Sequence, residues 1–395
     1  MSLFSDVTLA PADPILGLND AFKADSRAEK INLGVGVYLD EKGKLPLLEC
    51  VQAAEAALEP KPWSYQPIDG NPDYNKAVQK VVFGDSPAIA DGRIVTVQSL
   101  GGTGALKIGA DLLAQINPKA KVLISNPSWE NHRALFARAG YQVANYRYYD
   151  PEAKAIDFDG MLADIKAAEA GTIVVLHACC HNPTGYDLSP QQWDQVVSVI
   201  AENNLVAFLD MAYQGFGLGL AEDSAAINKF VDAGLSFFVS NSFSKTFSLY
   251  GERVGGLSIV TSSAEEARRV LSQTKIMIRT IYSNPPTHGA ALVSKVLNDA
   301  TLRTQWENEL GAMRTRINSL RTDLVAGLAK AGISDMGFIA DQKGMFSYSG
   351  LTKDQMVKLR DEYAIYGLDS GRICVAGLND DNLTTVIDAI VKVRS

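Results

Sequence analysis

The sequence predicts an α/β protein: a large domain on a mainly parallel central sheet, plus a smaller α+β domain. Three observations carry this expectation. Short apolar runs alternate with helical patterns from Lys121 to Val260, and strands separated by helices imply a parallel sheet covered on both faces. A helical pattern through Leu302, Trp306, Leu310, Met313, Ile317, Leu320, Leu324 and Leu328 is long enough to bridge two domains. The length, 395 residues, exceeds what one compact core usually accommodates.

In chain order, residues 1–12 are assigned to an N-terminal arm and 13–45 to the first part of the small domain. Residues 46–312 are assigned to the large domain, and 313–395 to the rest of the small one. The opening MSLFSDVTLAPADP has neither the basic run nor the apolar stretch of a secretory signal. Leu47, Leu48, Val51, Ala54 and Leu58 share one helical face. A Gly-rich turn, GGTGALK from Gly101, opens another helix. Strands are expected at KVLIS from Lys121, TIVVLHA from Thr172, LVAFLD from Leu205, LSFFVS from Leu235 and VGGLSIV from Val254. Ser189-Pro190-Gln191-Gln192 announces a helix by a capping box with Pro at the first helical position. Beyond the long helix come a second capping box at Thr352–Gln355 and a last helix with Leu383, Val386, Ile387 and Ile390.

Composition excludes several classes of function. A net charge of −8, from 45 acidic and 37 basic residues, gives no general attraction to nucleic acid or anionic membranes. The longest apolar run, Ile173 to Cys180, is interrupted by His177 and is far too short for a membrane span. Four cysteines make no disulfide framework, so a soluble protein of the cytoplasm is expected. His177, Cys179, Cys180 and His181 stand close together, but they lack CxxC spacing and no second pair follows, so no metal site is expected.

Polar groups cluster where strands end, which is where open α/β sheets bind ligands. LVAFL ends in Asp210, followed by Met211, Ala212 and Tyr213. LSFFVS runs into Asn241, Ser242, Phe243, Ser244 and Lys245, TIVVLHA into HNPTG, and KVLIS into NPSWENH. Singly, each has an ordinary structural explanation: Asp as a cap, Lys as surface charge, Asn-Pro as a turn, Trp129 as core. Gly102-Thr103-Gly104 lacks the third glycine of a dinucleotide fingerprint, and no P-loop GK[ST] follows, which argues against a nucleotide-dependent dehydrogenase.

Together, the segment Tyr65 to Gly70, GGTGAL, NPSWENH, HNPTG, DMAYQGF, SNSFSK, SLYGERVGG, RTIYSNPP, GMFSYSGL and SGRICVAGL resemble the family I aspartate/aromatic aminotransferases, in order and roughly in spacing. The most specific combination is SxSK with an Arg eight residues later and Asp-x-x-Tyr on the strand before. The resemblance implies the fold type I architecture of enzymes that use pyridoxal 5'-phosphate, and a homodimer with shared active sites. Lys245 then matches the lysine that holds the cofactor aldehyde as an imine and moves the proton, which needs a neutral amine. Asp210 matches the carboxylate on the ring nitrogen, and His132 a group behind it. Arg253, Ser242, Gly102 and Thr103 match the phosphate site. Tyr213 and Asn182 match the partners of the phenolic oxygen, Trp129 the ring stacked on the cofactor, and Tyr65 a group reaching the neighbouring subunit's phosphate. On the substrate side, Arg372 matches the fork for the α-carboxylate, with Gly36, Asn182 and Trp129 beside it. Arg279 matches the receptor of a side-chain carboxylate, reaching in from the other subunit.

Signals for the substrate are mixed. Thr103 and Asn284 resemble aspartate-preferring members. SFSKTFSLYGERVGGLS and CVAGLN resemble bacterial aromatic members, and Leu39 and Leu45 are apolar where the resemblance places the entrance to the site. Use of both dicarboxylic and aromatic substrates is expected. A lyase or decarboxylase of the same fold would share Lys245, Asp210 and Arg253. A non-catalytic binding protein should have lost some of these residues, and none is missing.

Overall fold

The computed structural model describes residues 2–11, 13, 15–60, 62 and 64–395. Its central sheet has seven strands: β1 (Ile94–Leu100), β2 (Lys121–Asn126), β3 (Gln142–Arg147), β4 (Ile173–His177), β5 (Val206–Met211), β6 (Phe237–Ser242) and β7 (Val254–Val260). Their spatial order is β1-β7-β6-β5-β4-β2-β3. Strand β7 is antiparallel to both its neighbours, and every other pair is parallel. Alternate residues feed two cores, as the pleat requires: Val174, Leu176 and Leu209 pack on one face, Ile173, Val175 and Phe208 on the other. The mainly parallel, doubly covered sheet expected from the sequence is therefore present.

Several local expectations change. Strands β1 and β3 were not expected. Strand β3 is an edge strand with mostly exposed or half-buried side chains. Strand β1 carries Thr96, Gln98 and Ser99 into the interior, where Thr96 Oγ1 is 2.8 Å from Ser258 Oγ. GGTG is the first turn of helix α1 (Gly101–Ile116) and not a separate turn before it. The early helix covers only Glu49–Ala56, and Leu47 lies outside it with its side chain exposed.

Helix α2 (Ala300–Lys330) has 31 residues and buries all the expected apolar positions except Leu302, which is half-buried, together with Arg321. Asp299 caps it by accepting from the N–H groups of Thr301 and Leu302. Both expected capping boxes form. A third, Asn379 with Asn382, escaped the Ser/Thr-x-x-Glu/Gln pattern. Ile31–Asn32 pairs in parallel with Ile365–Tyr366, which ties the N-terminal stretch to the C-terminal region. Beside that pair, β8 (Phe346–Tyr348) runs antiparallel to β9 (Arg372–Cys374). Among the described residues no helix is long and apolar enough to cross a membrane.

Candidate active site

Register places the carboxyl ends of β4, β5 and β6 side by side: His177 pairs with Asp210, and Asp210 with Ser240. Asp210 is 6% exposed. Its Oδ1 accepts from Ser240 Oγ at 2.6 Å, and its Oδ2 lies 2.9 Å from His132 Nε2. His132 Nδ1 is in turn 3.0 Å from Ser128 Oγ. Burial works to raise the Asp210 pKa, but the bonds from His132 and Ser240 prevail, so the carboxyl lies below its ordinary range and stays ionised. Burial, reinforced by His181 and His132, holds His177 well below the usual histidine range and therefore neutral.

Lys245 follows β6 and projects into a cavity of about 200 Å³, with Nζ 5.1 Å from the centroid of the Tyr213 ring. Burial is the main cause that lowers its pKa to about 8. Asp210 opposes the shift, while Arg253 and Arg372 add to it.

Two guanidiniums, Arg253 and Arg372, line the same cavity as this amine, and among the described residues neither bonds to a carboxylate. Arg253 adopts φ +51° and donates to the Tyr250 carbonyl at 2.9 Å and to Ser244 Oγ at 3.4 Å. Gly101 makes room for it, since a Cβ there would lie 2.7 Å from Arg253 Nη2. The start of α1 has no side-chain cap, and Gly102 and Thr103 in its first turn line the same cavity as Ser242, Ser244 and Arg253. Free N–H groups, hydroxyls and a cation at a helix start make an anion site.

Arg372 is 1% exposed. Its Nη2 donates to Gly34 O at 2.6 Å and its Nη1 to Asn182 Oδ1 at 3.2 Å, while Nε has no partner among the described residues. Its Cζ stands 4.1 Å over the Phe346 ring, which meets Tyr213 edge-on at 5.9 Å. Gly36 must lack a side chain here, because a Cβ would lie 2.6 Å from Phe346 Cζ. A planar fork with an open donor, held on an aromatic platform, suits a carboxylate.

The structure thus gathers Lys245, Asp210, Tyr213, Asn182, Trp129, Gly102, Thr103, Ser242, Arg253, Arg372 and Gly36 around one cavity, with His132 directly behind Asp210. It does not bring Tyr65 or Arg279 there. Tyr65 is 90% exposed, and Arg279 is exposed and bonded to Ser283. Leu39, Leu45 and Asn284 also lie outside the lining of this cavity. Sequence reasoning missed Ser240, Ser244, His177, Tyr250, Phe346 and Ile15 as members of the site. Ser240 was within reach, since it shares a strand face with Ser242 two residues on.

The aminotransferase class I and II family pattern matches residues 28–390. The chain is 59% identical to the aspartate aminotransferase of Pseudomonas aeruginosa over the full length of both. It is 46% identical to the aromatic-amino-acid aminotransferase of Escherichia coli, covering 99% of this chain and 100% of the relative. Among solved structures, the aromatic-amino-acid aminotransferase of Burkholderia pseudomallei, covalently bound to pyridoxal phosphate, superposes with a TM-score of 0.97 at 60% identity over both full chains.

Proposed function

The chain belongs to the class I and II aminotransferases, and from that premise we propose that it exchanges amino groups between aspartate, glutamate or aromatic amino acids and 2-oxo acids, with pyridoxal phosphate held at Lys245. The cavity fits that cofactor: an anion site for its phosphate, an ionised carboxylate for its ring nitrogen and an amine for its aldehyde. When bound, pyridoxal phosphate supplies an aldehyde that condenses with amines and a ring that withdraws electrons from the bonds of the substrate α-carbon.

The residues divide the remaining work. Arg253, Ser242, Ser244 and the N–H groups of Gly102 and Thr103 would hold the phosphate. Asp210, steadied by His132 and Ser240, keeps the ring nitrogen protonated. Tyr213 and Asn182 would bond the phenolic oxygen, and Trp129 would cover the ring. Arg372 grips the α-carboxylate and so orients the Cα–H bond. Lys245 Nζ, as a free amine, would take the proton from Cα and deliver it to the carbon that carries the cofactor's aldehyde. Donor and acceptor both use Arg372, so the 2-oxo product must leave before the second substrate enters, in a ping-pong sequence. The observation that carries this reading is a half-buried amine of lowered pKa that shares one cavity with an ionised carboxylate and two guanidiniums without carboxylate partners among the described residues. Loaded protein mixed with glutamate alone tests it. The expected result is one equivalent of 2-oxoglutarate per site and then arrest; continued release of ammonia or carbon dioxide would mark a lyase or decarboxylase.

The lowered pKa of Lys245 also sets a pH signature. With a folded value of about 8 against the ordinary 10.5, burial disfavours its ammonium form. That cost to the cofactor-free fold is complete below pH 8, fades between 8 and 10.5, and is absent above. Lys245→Met should therefore raise the Tm of the cofactor-free protein at pH 7, by up to the equivalent of about 3 kcal/mol. Less than half of that gain should remain at pH 9.5. A gain that is the same at both pH values would show that the fold does not lower the pKa of this amine and that the gain comes from packing alone.

Homodimerisation with shared sites belongs to the same proposal. It is supported by the exposed Tyr65 and Arg279 and by an arm whose Leu3, Phe4, Val7 and Leu9 are 71–100% exposed. The division into arm, large and small domains at 12, 45 and 312, with α2 crossing the last boundary, is part of it, as is a cytoplasmic location. Arg279→Leu should lower kcat/KM for aspartate roughly 30- to several-thousand-fold, the effect of removing one partner of a buried charge pair, and for phenylalanine far less. Mixing and reassociating it with Lys245→Ala should restore aspartate turnover to at most about a quarter of wild type, because each hybrid dimer has one whole site. Equal losses for the two donors, or no restoration, would remove Arg279 as a specificity residue supplied by the partner.

A further inference from the structure

Arg321 lies on the inward face of α2, between Ile317, Leu320 and Leu324, and is 2% exposed. Its four hydrogen-bond partners among the described residues are all neutral: Ser347 Oγ at 3.3 Å, Asn318 Oδ1 at 3.2 Å, and the carbonyls of Gly344 at 2.5 Å and Phe346 at 3.4 Å. A guanidinium buried without a carboxylate is expensive to keep, and burial lowers its pKa to about 10. A methionine would fill the same space on an otherwise apolar face. What methionine lacks is a rigid fork of donors, and three of the four acceptors of that fork lie in residues 344–347.

That short segment connects the two halves of the site. On one side, Lys343 N donates to Gly185 O at 2.6 Å, and Gly344 lies so close to Cys180 that a Cβ there would be 2.6 Å from the Cys180 Cβ. Asn182, a partner of Arg372, belongs to the same loop as Cys180 and Gly185. On the other side, Tyr348 pairs with Arg372 in the β8–β9 register, and the Phe346 ring supports the Arg372 guanidinium. Pinning the carbonyls of 344 and 346 therefore fixes the ring on which Arg372 rests, and with it the direction of the open Nε donor.

We infer that Arg321 is a positioning residue for carboxylate recognition, acting through Phe346 on Arg372. The inference rests on the proposed role of Arg372 toward the substrate α-carboxylate. Arg321 touches neither substrate nor cofactor, so its loss should be felt in substrate affinity more than in turnover. Because every amino acid presents an α-carboxylate, aspartate and phenylalanine should suffer alike, unlike the selective loss expected for Arg279→Leu.

The test is calorimetric binding of succinate, a non-reacting dicarboxylate, to the loaded protein, with KM and kcat for both donors. Arg321→Met should weaken succinate and raise both KM values roughly 10- to 100-fold, the scale of a misplaced binding group, with kcat within about fivefold and cofactor absorbance unchanged. Arg321→Lys, which keeps the charge but not the fork, should fall between. A folded Met variant with affinity and KM within about twofold of wild type overturns the inference, as does a parallel collapse of kcat, KM and cofactor retention. If neither variant folds, Ser347→Ala removes a single acceptor and decides: a rise of about threefold in the succinate Kd supports the inference, and an unchanged Kd overturns it. A wild-type protein that takes up no pyridoxal phosphate would instead defeat the transamination reading itself.

Discussion

Lys245→Ala should give a folded protein that retains pyridoxal phosphate but turns over slower by about 10⁴- to 10⁶-fold, the scale of losing one central catalytic residue. Two functions disappear together, capture of the aldehyde and transfer of the Cα proton, and Lys245 is the lysine that lines the cavity among the described residues. Folding should survive, because the partly desolvated amine is a burden on the fold at neutral pH. Retention should survive too, because Arg253, Ser242 and the start of α1 are untouched. Borohydride reduction followed by peptide mapping checks the chemistry independently of rate. Wild type should carry the pyridoxyl label on the peptide containing Lys245, and the variant should carry none there. A label on another lysine, or a variant within about tenfold of wild type, would end the assignment.

The sheet was legible where its strands run through the middle of the protein. Strands β4 and β5 are buried almost throughout and read as nearly continuous apolar runs, and β6 and β7 each keep a shorter apolar run, Phe237–Val239 and Leu257–Val260 around Ser258. The two missed strands fail that test for different reasons. Strand β3 exposes much of its length at the sheet edge, and β1 hides polar side chains that are satisfied only by distant residues, as Thr96 is by Ser258. Helix α2 was legible from its spacing, yet Arg321 occupies one of its inward positions, where a charged residue is normally read as solvent-facing. Only the fold shows that its donors reach the 344–347 backbone.

The site was legible through the order of its motifs, because a cofactor with a phosphate, a basic ring nitrogen and an aldehyde demands three unlike groups at neighbouring strand ends. Phe346 was missed because an aromatic in an apolar segment reads as core, and its role appears only when Arg372 is found resting on it. Tyr65 and Arg279 show the opposite limit. The motifs name them, yet one chain leaves both away from its cavity; the proposed homodimer would bring them to the partner's.

Asp210→Asn should cost about 3–5 kcal/mol of transition-state stabilisation, roughly 10²- to 10⁴-fold in kcat, with little loss of stability. The shape of the side chain is preserved. Its Oδ1 can still accept from Ser240 Oγ, and an amide nitrogen can face His132 Nε2 if that imidazole turns its N–H toward Ser128. What vanishes is the negative charge that those two donors keep ionised against the pressure of burial. A neutral amide cannot hold a proton on the cofactor ring nitrogen, so the ring draws electrons from Cα less strongly whichever substrate is bound. The loss should therefore be equal for aspartate and phenylalanine, and it should fall on kcat with KM nearly constant, because Arg372 and its platform are unaltered. Asp210→Ala should also destabilise the fold, since it strands Ser240 and His132 in the interior. The decisive comparison is kcat for both donors in the Asn variant beside its melting temperature. Near-native turnover in a stable Asn variant would make Asp210 a structural anchor for His132 and Ser240, and the acid that keeps the ring nitrogen charged would have to be sought elsewhere in the cavity.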